Sequence, residues 1–299
     1  MLEIMEKIVL VFGVTGRQGG AAAAYLQKSG WKVRGVTRNP EKEKAKKLAA
    51  AGIEMVKGDL DDPESLKGAF TGVHGVFSVQ NPWITGLKKE VEHGRRIVDM
   101  AADAGVKHLV YASAGTGDKT TGVPHFNTKV EIEISVKASG VPFTILRSSS
   151  FMELMRDKDF LPPLVMWNVM PKIIGYDFPV MWISAFDVGA VTAAVFNNPE
   201  QYAGKELHLA TDKKSVKECR EIFRSVYGKP PKSIPAPAWL FKLMQKDLYK
   251  MFLWMLEHKE PESIIEDTRK IHPDALTLEK WLKKMKEIDH PSPAAVQEF

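Results

Sequence analysis

Short apolar runs alternate with segments whose apolar residues recur at helical spacing. Lys7 to Phe12 (KIVLVF) is apolar at consecutive positions, the pattern of a strand buried on both faces. A glycine-rich turn follows, then a helix of small residues around Ala21 to Lys28. Lys32 to Thr37 (KVRGVT) predicts a second strand, Glu54 to Lys57 a third and Gly75 to Val79 (GVFSV) a fourth. His108 to Ser113 (HLVYAS) and Phe143 to Arg147 (FTILR) extend the series. Helical periodicity marks Glu41 to Ala51, Pro63 to Phe70, Lys88 to Ala104 and Lys129 to Ser139, with Asp62 suited to cap and Pro63 to open the second of these. Strand and helix alternating through short connections predict right-handed crossovers and a parallel sheet covered on both faces. The class is α/β, a Rossmann-type doubly wound sheet.

The pattern changes after Arg147. A segment rich in proline and aromatics runs to about Ile183, after which a helix over Phe186 to Phe196 and a strand over Glu206 to Ala210 are expected to return to the first sheet. Ser215-Val216-Lys217-Glu218 is a capping box, and Pro230-Pro231 follows its helix. From Ala238 onward the chain reads as helical, with Trp239, Trp254 and Trp281 on apolar faces and His290 to Phe299 frayed. Two domains are expected: residues 1–154 as a nucleotide-binding domain and 155–299 as a smaller, mostly helical one, with 184–211 packing back on the first.

Composition narrows the function. The 299 residues carry a net charge of +5, with 44% apolar and 26% charged residues, the balance of a globular chain. A lone cysteine, Cys219, forms no internal disulfide, which points to a reducing, cytoplasmic compartment and excludes a cysteine-based zinc site. The opening MLEIMEK carries acids and does not read as a secretory signal. The greasiest stretch, Phe160 to Phe186, is interrupted by Pro162, Pro163, Pro171, Lys172, Asp177 and Pro179, so no membrane span is expected. Its Met166, Trp167, Met170, Met181 and Trp182 suit a hydrophobic substrate wall, a partner surface or ordinary core. The basic run Lys42 to Lys47 includes Glu43 and lies on a helix, a solvated face rather than a nucleic-acid element. No histidine stands at metal spacing with carboxylates; His93, His208 and His258 are expected in surface or sheet contexts.

The most specific chemistry lies in Gly13-Val14-Thr15-Gly16-Arg17-Gln18-Gly19-Gly20, where the first strand ends and a helix begins. Gly13 allows the tight turn, Gly16 lets backbone approach a pyrophosphate, and Gly19 lets helix pack on strand; N–H groups at the helix start then meet the anion. An NAD-binding chain usually places an acid about 20 residues on, at the tip of the second strand, to hold the ribose 2′-hydroxyl. Here the tip is Thr37-Arg38-Asn39-Pro40, with no acid between Trp31 and Pro40. Arg38 suits a 2′-phosphate, with Arg17 and Lys42 adding positive charge, which points to NADP(H); as an alternative, Arg38 is a solvated loop residue.

GVTGRQGG, VTRNP, GDLDD (Gly58 to Asp62), HFNTKVEIE (His125 to Glu133), GVPFTILR (Gly140 to Arg147) and DALTLEKWL (Asp274 to Leu282) together resemble the NmrA-like family, an atypical branch of the short-chain dehydrogenases/reductases. The resemblance implies a Rossmann domain with a smaller C-terminal domain and NADP(H) binding. Some members are redox-sensing regulators acting through protein partners, and related branches are NAD(P)H-dependent reductases. It further implies that Asp59 and Leu60 contact adenine, that Gln80 and Asn81 run beside the nicotinamide ribose, that Lys129 bonds that ribose, and that Phe151, Met152 and Glu153 close over the nicotinamide. Each has an ordinary structural alternative: a turn for Asp59, a solvated helix position for Lys129, core for Phe151. Glu92 and Leu154 depart from the residues common in the family.

Dehydrogenases of the superfamily use Tyr-x-x-x-Lys for proton transfer. Here His125 occupies the tyrosine position before Lys129, Tyr111 lies too far along the fifth strand, and Ser113 is placed like the substrate-polarising serine. His125 is either the proton donor or a residue lining the cleft. Two functions are expected: a redox-state sensor working through nucleotide-dependent conformation and a regulatory protein partner, or a reductase passing hydride from NADPH to a small apolar carbonyl or quinone.

Overall fold

The computed structural model describes residues 7–117, 121–158, 162–163, 165–232 and 237–289; the expected frayed end, 290–299, and Phe160, Leu161 and Leu164 of the hydrophobic segment lie outside them. The element order is β1 (Ile8–Val11), α1 (Arg17–Lys28), β2 (Lys32–Thr37), α2 (Glu43–Ala50), β3 (Glu54–Lys57), β4 (Val73–Ser78), α3 (Pro82–Thr85), α4 (Leu87–Asp103), β5 (His108–Ala114), α5 (Pro124–Ala138) and β6 (Phe143–Ser148). It continues through β7 (Ser150–Phe151), α6 (Met170–Ile174), β8 (Pro179–Ile183), α7 (Ala185–Asn197), α8 (Pro199–Tyr202), β9 (Lys205–Leu209), β10 (Asp212–Ser215), α9 (Val216–Tyr227), α10 (Ala238–Met244), α11 (Lys246–Glu257), α12 (Ser263–Ile271) and α13 (Leu278–Asp289). The chain divides into two compact units, Met1–Ser148 with Ala185–His208, and Ser149–Ser184 with Leu209–Phe299. The division falls after Ser148 rather than after Leu154, so Phe151, Met152 and Glu153 belong to the second unit.

The first unit carries a seven-stranded sheet of order β3-β2-β1-β4-β5-β6-β9. The pairs from β3 through β6 are parallel, with registers such as Val9↔Val33 and Val76↔Leu109. The order reverses between β1 and β4, and at such a switch point a doubly wound sheet holds its ligand. Val9, Leu10 and Val11 are all fully buried, which explains why β1 reads as an unbroken apolar run. Leu10, Phe12, Leu109, Tyr111 and Ile145 form one core with Ile97 of α4 and Ile132 of α5. Each such side chain contributes about 1.5–3 kcal/mol by leaving water. α1 packs on α7 at backbone distance: a Cβ on Gly189 would stand 2.6 Å from the Ala21 carbonyl carbon.

Two expectations change. Pro63–Phe70 is a 3-10 helix and Asp62 does not cap it with its side chain. Ser65 instead accepts from the Asp59 N–H (2.9 Å) and donates to the Asp62 carbonyl (2.6 Å), local bonds that compete with an α-helical ladder. α5 starts at Pro124, not Lys129, because proline suits a first helical turn. His125, Lys129 and Glu133 therefore stand four residues apart on one helix face.

The second unit holds a three-stranded sheet of order β10-β8-β7 and most of the remaining helices. Ser215 and Glu218 form the expected capping box at the start of α9. Met166, Trp167, Met170, Met181 and Trp182 are all buried, so these residues of the proline- and aromatic-rich segment are core. Trp254 and Trp281 are buried too, but Trp239 is 65% exposed. On the short α10, Phe241 is the buried residue and Trp239 takes the outer face. Among the described residues no helix is long and apolar enough to cross a membrane. Gly189→Ala should force α7 away from α1 and lower the unfolding free energy by about 1–3 kcal/mol in urea titrations; unchanged stability would show that the two backbones are not in close contact.

Candidate functional site

The turn after β1 has the shape that an anion site requires. Gly13 has φ +66°, and a Cβ on Gly19 would stand 2.3 Å from the Gly13 carbonyl oxygen, so only glycine permits the start of α1 to sit on the strand end. The Gly16 N–H closes the turn on the Gly13 carbonyl at 2.7 Å. No side chain caps α1 at Gly16, and its own first turn supplies no acid to the positive end of the helix dipole. Thr15 is half-buried and Arg17 exposed beside it. Gln18 places a buried Oε1 with no donor among the described residues. The glycine turn and the uncapped start of α1, rather than the Gln18 oxygen, fit a pyrophosphate.

Arg38 and Lys42 are exposed at the tip of β2, and Lys42 is the residue before α2. Asn39 shapes this loop by accepting the Glu41 N–H on Oδ1 at 2.9 Å. The basic run that follows is balanced by Lys46–Glu41 and Lys47–Glu43 ion pairs at 2.9 and 2.8 Å. Asp59 Oδ1 accepts from the Asp61 N–H at 3.0 Å, so the carboxylate shapes its own turn. Leu60 packs partly against the sheet core, and its carbonyl accepts from Arg96. Asp61 binds Lys89 at 2.7 Å and His93 at 2.9 Å, and the hydrogen bonds from these two side chains hold its carboxyl down to about 2. His93, expected at a surface or sheet position, is a buried α4 residue because it faces this carboxylate.

After β4 the chain enters a polar cluster. Gln80 is buried, donates from Nε2 to Ser78 at 2.8 Å, and leaves its Oε1 without a donor among the described residues. Asn81 caps α3 by accepting the Trp83 N–H at 2.9 Å. Lys129 is buried rather than solvated: its Nζ donates to the Gln80 carbonyl at 2.9 Å, lies 2.8 Å from Glu90 Oε1, and sits 5.8 Å over the Tyr111 ring. His125 is buried against Trp83 and Phe126, with ring centroids 5.2 and 4.6 Å away. Ser113 donates its hydroxyl to Glu133 Oε1 at 2.6 Å. Glu133 is held in turn by Arg147, at 2.9 Å through Nε, and Arg147 also reaches Glu206 and His208. Since guanidinium only donates, His208 Nε2 accepts and the ring is neutral; burial and Arg147 push its imidazole below the usual value. Burial, with Glu90 and Glu133 nearby, pushes the Tyr111 phenol well above its ordinary range.

The NmrA-like family model matches residues 5–282. The chain belongs to the NmrA-like family. It is 30% identical over 258 residues to the NmrA-like family domain-containing oxidoreductase lnaB of Aspergillus flavus, covering 78% of this chain and 77% of the relative. It is also 30% identical over 262 residues to the NmrA-like oxidoreductase FrzB of Cladobotryum sp., covering 79% and 78%. The fold matches that of NmrA, a negative transcriptional regulator solved in complex with NADP, with TM-score 0.77, 19% identity, and 95% and 97% of the two chains covered. Citrobacter sp. triphenylmethane reductase complexed with NADP(H) gives TM-score 0.74 at 20% identity over 93% and 99%.

Within this NmrA-like chain, Gln80, Lys129, His125 and Ser113 gather around the carboxyl ends of β4 and β5, while Arg38 and Asp59 stand at the ends of β2 and β3. Glu90, Glu133 and Trp83, which the motif reading did not single out, are brought to the same cluster by α3, α4 and α5. For Glu90 the available signal was a lone acid on an apolar helix face, between Leu87, Val91 and Gly94. In the second unit Phe151 pairs in β7, and Met152 and Glu153 are buried in one 3-10 turn. That unit also holds a carboxyl the motifs missed: Glu260 accepts from the Ser149 hydroxyl at 3.1 Å, and burial pushes its acid above the usual range. No group of three potential metal ligands occurs among the described residues.

Because the folded chain favours protonated Glu260, its stabilising effect is complete below the unfolded carboxylate pKa and fades as pH rises through the folded value. Glu260→Gln should therefore be more stable than the wild type at pH 7, the gap closing below about pH 4. Denaturant midpoints across that range test it; a gap independent of pH would refute it.

Proposed function

We propose that this chain binds NADP(H) and works as a redox-state sensor, passing the nucleotide's state to a regulatory protein partner. Gly13, Thr15, Gly16, Arg17, Gln18 and Gly19 hold the pyrophosphate, Arg38 and Lys42 the 2′-phosphate, and Asp59 and Leu60 the adenine. Gln80, Asn81 and Lys129 meet the nicotinamide ribose. Support comes from the uncapped start of α1 under Gly16, the absence of an acid at the β2 tip, and the NADP-bound solved structures of the same fold.

One observation carries the preference for a sensor. The superfamily positions for proton transfer are committed elsewhere: Ser113 donates its hydroxyl hydrogen bond to Glu133, and Lys129 is held by Glu90 and the Gln80 carbonyl. Tyr111 keeps its phenol proton in a buried place. A second reading, reduction of a small apolar carbonyl or quinone, is favoured by the oxidoreductase names of the relatives. NADPH, when bound, supplies a hydride, and His125, one helical turn before Lys129 on α5, is then the acid–base residue. We place the protein in the reducing cytoplasm: Cys219 is buried, and burial pushes its thiol well up, the setting of an inert structural cysteine.

Titration with NADPH and NADH should show a clear NADPH preference, and Arg38→Ala should reduce it by roughly tenfold or more, the loss of charge-assisted bonds to phosphate. Equal binding of the two by the wild-type chain would refute the role of Arg38. Assay of NADPH oxidation against quinones and aldehydes separates the two readings: none is expected, whereas turnover abolished by His125→Ala would establish the reductase.

A further inference from the structure

Glu90 is fully buried on α4, where one oxygen faces an ammonium and the other accepts a hydroxyl. Oε1 lies 2.8 Å from Lys129 Nζ, and Oε2 accepts the Thr128 hydroxyl at 2.6 Å. Lys129 Nζ meets Glu90 as an ion pair and donates a hydrogen bond to the Gln80 carbonyl at 2.9 Å. An ammonium has three donors, so an N–H remains for a ligand hydroxyl. The neighbouring charges are already matched to others: Glu133 with Arg147, and Lys89 with Asp61. Glu90 is thus the carboxylate that neutralises Lys129.

A buried ion pair is a poor way to stabilise a fold, since well-packed apolar residues of similar volume usually do as well or better. What the pair does set is the charge at this point of the site. The oxidised nicotinamide ring carries one positive charge and the reduced ring none, while the rest of the dinucleotide is unchanged. A net charge near the ring therefore acts on one redox form only. We infer that Glu90 determines how the site discriminates oxidised from reduced dinucleotide, by cancelling the charge of Lys129 beside the nicotinamide. With the pair intact, NADP+ enters without repulsion from a bare ammonium. This rests on the reading above, that Lys129 meets the nicotinamide ribose. Glu90 acts through Lys129 and is a specificity-determining position rather than a catalytic residue.

The test is equilibrium titration of the full chain with NADP+ and with NADPH, reading the ratio of their dissociation constants, Kd(NADP+)/Kd(NADPH). Glu90→Gln should raise the ratio by about tenfold or more, tenfold being the scale of one charge about 12 Å from the ring at an effective dielectric of about 20. Lys129→Gln should lower it, because a lone Glu90 carboxylate attracts the cationic ring. The double variant Glu90→Gln/Lys129→Gln should return the ratio to near the wild-type value. A structural role alone weakens both dinucleotides in proportion and leaves the ratio unmoved in every variant, which would overturn the inference. Should Glu90→Gln fail to fold, Lys129→Gln against the double variant decides: no fall in the ratio, or a fall that the second substitution does not reverse, also overturns it. A wild-type chain that binds neither dinucleotide refutes the nucleotide-binding reading itself, an outcome distinct from binding both with an unmoved ratio.

Discussion

The approach of α1 to the end of β1 governs much of the first unit. Gly19 stands where any Cβ would be 2.3 Å from the Gly13 carbonyl oxygen, and Gly13 itself turns at φ +66°. Those two positions let the helix start directly over the strand, with no side chain capping it. The same small-residue helix is approached from its other side by α7, whose Gly189 meets the backbone at Ala21. The Ala-rich sequence of α1 is thus explained twice over, by the strand below it and by the helix beside it. A bulkier helix would displace both contacts and move the positive helix end away from the sheet's switch point.

Charge in the rest of this unit is arranged along α5. His125, Lys129 and Glu133 line one face, and each charged member is matched before any ligand arrives: Lys129 by Glu90, Glu133 by Arg147 and Ser113. Removing one partner of such a pair leaves an uncompensated buried charge and is far more costly than the pair is stabilising. The arrangement gives α5 and the ends of β4 and β5 a rigid polar geometry.

The second unit obtains its core from a segment that looks irregular on paper. Prolines break the run from Phe160 to Phe186, yet Met166, Trp167, Met170 and Trp182 are among its most deeply buried residues. Trp167 donates its indole N–H to the Met155 carbonyl at 3.0 Å and Trp182 donates to the Lys214 carbonyl at 2.9 Å. Trp167 and Trp182 can be buried completely because each indole N–H finds a backbone acceptor.

Local chemistry was enough to read the first half of the chain. Continuous apolar runs such as IVLV belong to strands covered on both faces, and the glycines of GVTGRQGG to a strand–helix turn whose backbone admits no side chain. The absence of an acid at the β2 tip and the family membership were also legible, because they depend on residue identity and spacing alone. Position in space was not. Pro63–Phe70 has helical periodicity but tightens into a 3-10 helix around Ser65, and Trp239 looks like its buried counterparts yet stays exposed. Nothing in the order of residues pairs Glu90 with Lys129 or Ser113 with Glu133. Those partners come from different helices and strands, and only their packing around the sheet brought the charges within bonding distance.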